Sequence, residues 1–87
     1  MCTYQTEQIG ITGSGKGAAG WFSLSEATVY FDHPVHAMAE HTLNIDFRNP
    51  ARGPGARVAV ELTAESAREL ARAIEAALAS VPAALAS

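Results

Sequence analysis

Three short segments of the chain alternate strictly between apolar and polar residues. In Ala27–Asp32, Val29 and Phe31 fall on one side and Thr28 and Tyr30 on the other. In Thr42–Phe47, Leu43, Ile45 and Phe47 oppose Thr42, Asn44 and Asp46. In Arg57–Leu62, Val58, Val60 and Leu62 oppose Arg57, Ala59 and Glu61. A period of two predicts strands with one buried and one wetter face, and such half-wet strands favour an antiparallel sheet. Thr3–Ile11 is a weaker strand at the start, where Ile9 and Ile11 flank Gly10. After Leu62 the period changes. Ala67, Leu70, Ala71, Ile74, Ala77 and Leu78 recur at helical spacing, and Arg68, Glu69, Arg72 and Glu75 fill the other face. Thr63 suits the N-cap, Glu65 the positive end of the helix dipole, and Pro82 the stop. Residues 81–87 read as a frayed tail. The prediction is a single α+β domain over residues 1–87: a four-stranded antiparallel meander with one C-terminal amphipathic helix packed on one face.

The connections then sort into two poles. Thr12–Glu26 reads as a long glycine-rich loop, 33–41 as a histidine-bearing one, and 48–56 as a segment of turn residues. In a meander, Cys2, His33, His36, His41 and the start of the helix gather at one edge of the sheet. Lys16, Arg48 and Arg52 gather at the other.

The histidine edge carries the sharpest chemistry. All three histidines of the chain lie within nine residues, in the order His-Pro-Val-His-x4-His. Neutral imidazole is the commonest metal-binding side chain. His33 and His41 share the parity of core-facing Phe31 and Leu43, so both lean to one rim, with His36 folding back from the loop. Three protein ligands with an open position describe a catalytic zinc site; Cys2 or Glu40 is the candidate fourth ligand, and a thiolate with histidines suits zinc, copper or iron. Asp32 and Glu40 stand where they would orient the ligands. The plainer alternative is a polar surface loop, since the spacing matches no standard zinc motif.

At the other edge, Gly10-Ile11-Thr12-Gly13-Ser14-Gly15-Lys16-Gly17 comes close to a phosphate-binding P-loop. It departs where Gly17 replaces the magnesium-binding Ser or Thr. The reading that survives is an anion nest of Gly13, Ser14, Gly15, Lys16 and Gly17, with Arg52 adding charge. Its alternative is a flexible surface loop anchored by Trp21-Phe22. Asp46 and Glu61, on the strand face away from the helix, read as solvated residues. That face, or an edge strand, is a candidate for homodimerisation.

Composition narrows the classes. The 87 residues carry a net charge of −3, where a general nucleic-acid binder would be basic. No apolar run approaches the roughly 18 residues of a membrane span. Met1-Cys2-Thr3-Tyr4-Gln5-Thr6-Glu7 has neither the basic nor the apolar region of a secretory signal, and one cysteine allows no intramolecular disulfide. The expected location is the cytoplasm. Two functions follow as expectations. The first is a small metal-binding protein with a mononuclear site at His33, His36 and His41, with Cys2, acting on a small molecule. The second is a non-enzymatic dimeric module that recognises an anionic ligand or a protein through the glycine-rich segment.

Several stretches taken together also carry a resemblance. They are Met1-Cys2-Thr3, Gly13-Ser14-Gly15-Lys16-Gly17-Ala18, Val29-Tyr30-Phe31-Asp32-His33-Pro34, His41-Thr42-Leu43-Asn44-Ile45-Asp46-Phe47 and Ala56-Arg57-Val58-Ala59-Val60-Glu61-Leu62-Thr63. Along nearly its whole length the chain resembles a family of short actinobacterial proteins of unknown function. The resemblance implies a free-standing small bacterial protein of the cytoplasm and carries no catalytic role over to these residues.

Overall fold

The structure is a computed structural model and describes residues 5–36 and 38–86. Its strands are β1 (Thr6–Gly17), β2 (Gly20–Asp32), β3 (Thr42–Arg48) and β4 (Arg57–Leu62), paired antiparallel in chain order. The helix α1 (Ala64–Ala79) follows and packs against β3 and β4. Single 3-10 turns occupy Pro50–Arg52 and Ala83–Leu85. The architecture is the α+β meander with one C-terminal helix that the alternation predicts.

The register explains why the alternation is strict. Ala27, Val29 and Phe31 of β2 lie opposite Phe47, Ile45 and Leu43 of β3. Those in turn lie opposite Val58, Val60 and Leu62 of β4. Directly paired residues share a face, so nine apolar side chains form one continuous sheet face. Only Ala27 of these is buried; the other eight are half-buried.

The helix starts as its sequence dictates. Thr63 is extended, and its Oγ1 accepts the Ser66 N–H at 3.1 Å, which satisfies one of the orphan donors of the first turn. Contact with the sheet is confined to that end. Ala64 and Ala67 are half-buried, whereas every residue from Arg68 to Ser80 is exposed. The apolar stripe therefore continues past its own sheet, with Leu70 44%, Ile74 50% and Leu78 57% exposed.

The largest departure from the predicted elements is at Thr12–Glu26. That segment is not a loop but the distal half of a long hairpin, turning at Ala18-Ala19 and closed by Gly20 at φ 115°. The glycines make room. A Cβ on Gly15 would stand 3.1 Å from Leu24 Cδ1 and 3.4 Å from Val58 Cγ2, and one on Gly17 would stand 3.2 Å from Phe22 Cε1. Glycine in a strand commonly marks such close approach. The β1–β2 register slips between Gly10 and Gly13, a bulge of the kind that bends a strand. Leu24 of the hairpin borders one surface hollow with Phe47 and Val58. Asn49, buried in the β3–β4 connection, donates to the Ser23 carbonyl at 2.9 Å and holds the hairpin from that side.

Candidate functional site

Two surfaces frame the edge where β2 ends and β3 begins. On the apolar side, three rings stand in a row. Phe31 stacks on His41 with ring centroids 5.8 Å apart, and His41 lies against His33 at 4.4 Å with planes tilted by 33°. His33 Nδ1 donates to the Glu40 carbonyl at 3.2 Å, and the His33 backbone N–H donates to Asp32 Oδ1 at 2.7 Å. The predicted convergence of His33 and His41 on one rim is thus present. Of the predicted supporting residues, Asp32 accepts from the His33 backbone and Glu40 accepts from the His33 ring through its main-chain carbonyl.

His36 goes elsewhere. The 33–41 connection crosses to the polar face, where the Glu61 carboxylate accepts the Val35 N–H at 2.6 Å. It also accepts the His36 N–H at 3.1 and 3.3 Å. Val35 and His36 there border a surface hollow with Arg57, Ala59 and Glu61. Among the described residues no three His, Cys, Asp or Glu side chains come together as a metal-holding group. Cys2 lies outside the described residues.

The polar face is more structured than solvated strand residues would be. Thr42 is fully buried and Asn44 nearly so, and the Thr42 hydroxyl donates to Asn44 Oδ1 at 2.7 Å. Asp46 accepts Arg57 Nη2 at 2.6 Å and Nε at 3.1 Å, and the Tyr30 hydroxyl donates to its second oxygen at 3.4 Å. Burial pushes the Tyr30 phenol above its usual range, and the Asp46 carboxylate adds to the shift, against the opposing Arg57 charge. Glu61, which alternation marks only as a polar strand residue, proves to be the anchor of the histidine connection. No local sequence signal pairs it with residues 25 and 26 positions away.

The anion nest does not form. Residues 13–17 pair with residues 20–24 as a ladder. The only positive-φ glycines among the described residues are Gly20 and Gly53, whereas a nest needs residues that turn successive amides to one point. Lys16 lies opposite Trp21 in the hairpin, Arg48 pairs with Glu26 at 3.5 Å, and Arg52 ends the short 3-10 turn of the β3–β4 connection.

The remaining feature was not expected. Between the sheet and α1 lies an open groove with about 460 Å³ of free space, lined by Phe31, Leu43, Ala64, Ala67, Arg68 and Ala71. The helix that should fill this side of the sheet is half-buried only near its start, at Ala64 and Ala67, and Phe31, at the end of the ring stack, lines the groove. The sequence shows that the helix is amphipathic, but its periodicity does not say what its far half lies against.

The whole chain, residues 1–87, matches the model of a family of unknown function. No curated protein and no solved structure matches it. No helix among the described residues is long and apolar enough to cross a membrane.

Proposed function

The chain belongs to that family, DUF6295, and from its own residues we propose that it is a small binding module whose working surface is the apolar groove between the sheet and α1. One observation carries this reading: the helix is amphipathic, yet from Arg68 onward no residue of it is covered. A helix of 16 residues is marginal in water without tertiary packing. Exposed apolar surface of this extent marks an interaction site. The expected role is partner binding, as in the dimeric-module reading, but through the groove rather than the glycine hairpin. A cytoplasmic location belongs to the same proposal.

Ala71 tests it. This residue lines the groove and is exposed, so Ala71→Glu places a carboxylate in an apolar surface while keeping a good helix former. Two readouts of that surface are self-association by light scattering and fluorescence of the apolar dye anilinonaphthalene sulfonate. At least one should fall by about tenfold in the variant. If both match the wild type, the groove is not the working surface.

The adjacency of His33 and His41 favours a second reading, a metal site at this rim. The stacked rings would have to turn edge-on to share an ion, with Cys2 or another donor completing the set. Elemental analysis of untagged protein is the direct test. Near-stoichiometric zinc, copper or iron, abolished by either His33→Ala or His41→Ala, is the expected result; equal metal content in both variants and wild type ends this reading.

A further inference from the structure

We infer that the groove is filled by a second copy of this chain, and that the protein is a two-fold homodimer built on α1. The inference rests on the proposed binding role of the groove and names its occupant.

The surface area is the first argument. The chain exposes 6573 Å². A folded monomer of 9.1 kDa exposes about 4,900 Å². The excess, about 1,700 Å², falls within the roughly 1,000–2,500 Å² that each chain of an obligate homodimer buries. The shape agrees. The radius of gyration is 14.5 Å, against about 12 Å for a compact chain of this length.

The helix pattern is the second argument. Ala67, Leu70, Ile74 and Ala77 are spaced by steps of three, four and three, the seam of one helix against another. Of these, Ala67 alone lines the groove; Leu70 and Ile74 are exposed, as is Leu78 beside the seam. An isologous pair must be self-complementary. One flank of the stripe carries Arg68 and Glu75, opposite charges two turns apart. A two-fold axis between them sets each Arg68 toward the Glu75 of an antiparallel second copy. A strongly basic or acidic partner would instead require a flank of one sign. In this arrangement the exposed half of each helix closes the open groove of the other chain, and Phe31, which lines that groove, lies in the interface.

The test is the mass of the untagged protein in solution by light scattering and sedimentation equilibrium. The expected value at micromolar concentration is twice the 9.1 kDa chain mass. Ile74→Ala with Leu78→Ala removes the stripe while favouring helix, and both residues are exposed within one chain. The double variant should dissociate with a constant raised by about 100-fold. Ile74→Asp should do the same with one substitution. Wild-type protein that is monomeric at 100-fold higher concentration overturns the inference. If that monomer still binds dye in an Ala71-dependent way, the groove reading stands with a different partner. A wild-type dimer whose dissociation constant is unchanged by both stripe variants also overturns the inference and moves the contact elsewhere, the exposed β1 edge being the first place to look. If the stripe variants lose helix on dissociation, the wild-type helix signal must fall with its own dilution-driven dissociation; helix retained in the diluted wild-type monomer counts against the dimer as the support of α1.

Discussion

Phe31→Ala is expected to lower the stability of the fold by about 2–3 kcal/mol, measured as a shift in the urea midpoint at unchanged slope. Replacing a fully buried phenylalanine with alanine costs about 3–5 kcal/mol, and Phe31 is only half-buried, which sets the lower range. The loss is large beside the roughly 4–13 kcal/mol available to 87 residues. Phe31 carries this weight because it joins three parts of the molecule. It faces Leu43 across the β2–β3 ladder, lines the groove beneath α1, and stacks on His41. Phe31→Leu separates the contributions. It keeps most of the apolar volume and is expected to cost less than about 1.5 kcal/mol, while removing the ring under His41. Nuclear magnetic resonance then reads the local effect: the His41 ring protons should move away from their ring-current-shifted positions in both variants. A midpoint shift under about 0.5 kcal/mol in Phe31→Ala would mean that the apolar face is held without it.

How much of this was legible in the sequence depends on what each signal measures. Alternation in 27–32, 42–47 and 57–62 reports a half-buried strand directly, and the structure places all three in register with their apolar residues opposed. Thr63 and Pro82 bracket the helix because capping and the missing proline N–H act locally. The hairpin was hidden for a physical reason. Gly13, Gly15 and Gly17 carry the composition of a loop, although they too repeat every second position. In the structure Gly15 accommodates Leu24 and Gly17 accommodates Phe22 from the facing strand, a role that only the partner strand makes visible. The histidine edge was legible in part. Parity along β2 and β3 brings His33 and His41 together. His36 follows the main chain of its connection to Glu61, a contact that depends on how the connection crosses the sheet. Helical periodicity likewise identifies an apolar stripe without stating what covers it. This is why the open half of α1, and the groove beside it, appear only in the structure.

Glu61→Ala should free the histidine connection from the sheet. The Glu61 carboxylate accepts the amides of both Val35 and His36, and hydrogen bonds to a charged partner contribute about 1.5–3 kcal/mol each when shielded from water. The connection is exposed at both residues, so water takes up part of the loss and the expected global cost is about 1–2 kcal/mol. The local effect should exceed the global one. Amide hydrogen exchange at Val35 and His36 should accelerate by more than about tenfold, while exchange at the central strand residues Val29 and Ile45 changes only by the global shift. Glu61→Gln keeps one carbonyl acceptor and should recover about half of the protection. If exchange at Val35 and His36 is the same in Glu61→Ala as in the wild type, other contacts hold the connection and the carboxylate is incidental. The consequence reaches the rim of the groove. Residues 33 and 41 are the two ends of this connection, so its release should loosen the His33–His41 stack against Phe31, which lines the groove. In Glu61→Ala the His33 and His41 rings should therefore be less well ordered than in the wild type, with a carboxylate on the polar face supporting the edge of the apolar one.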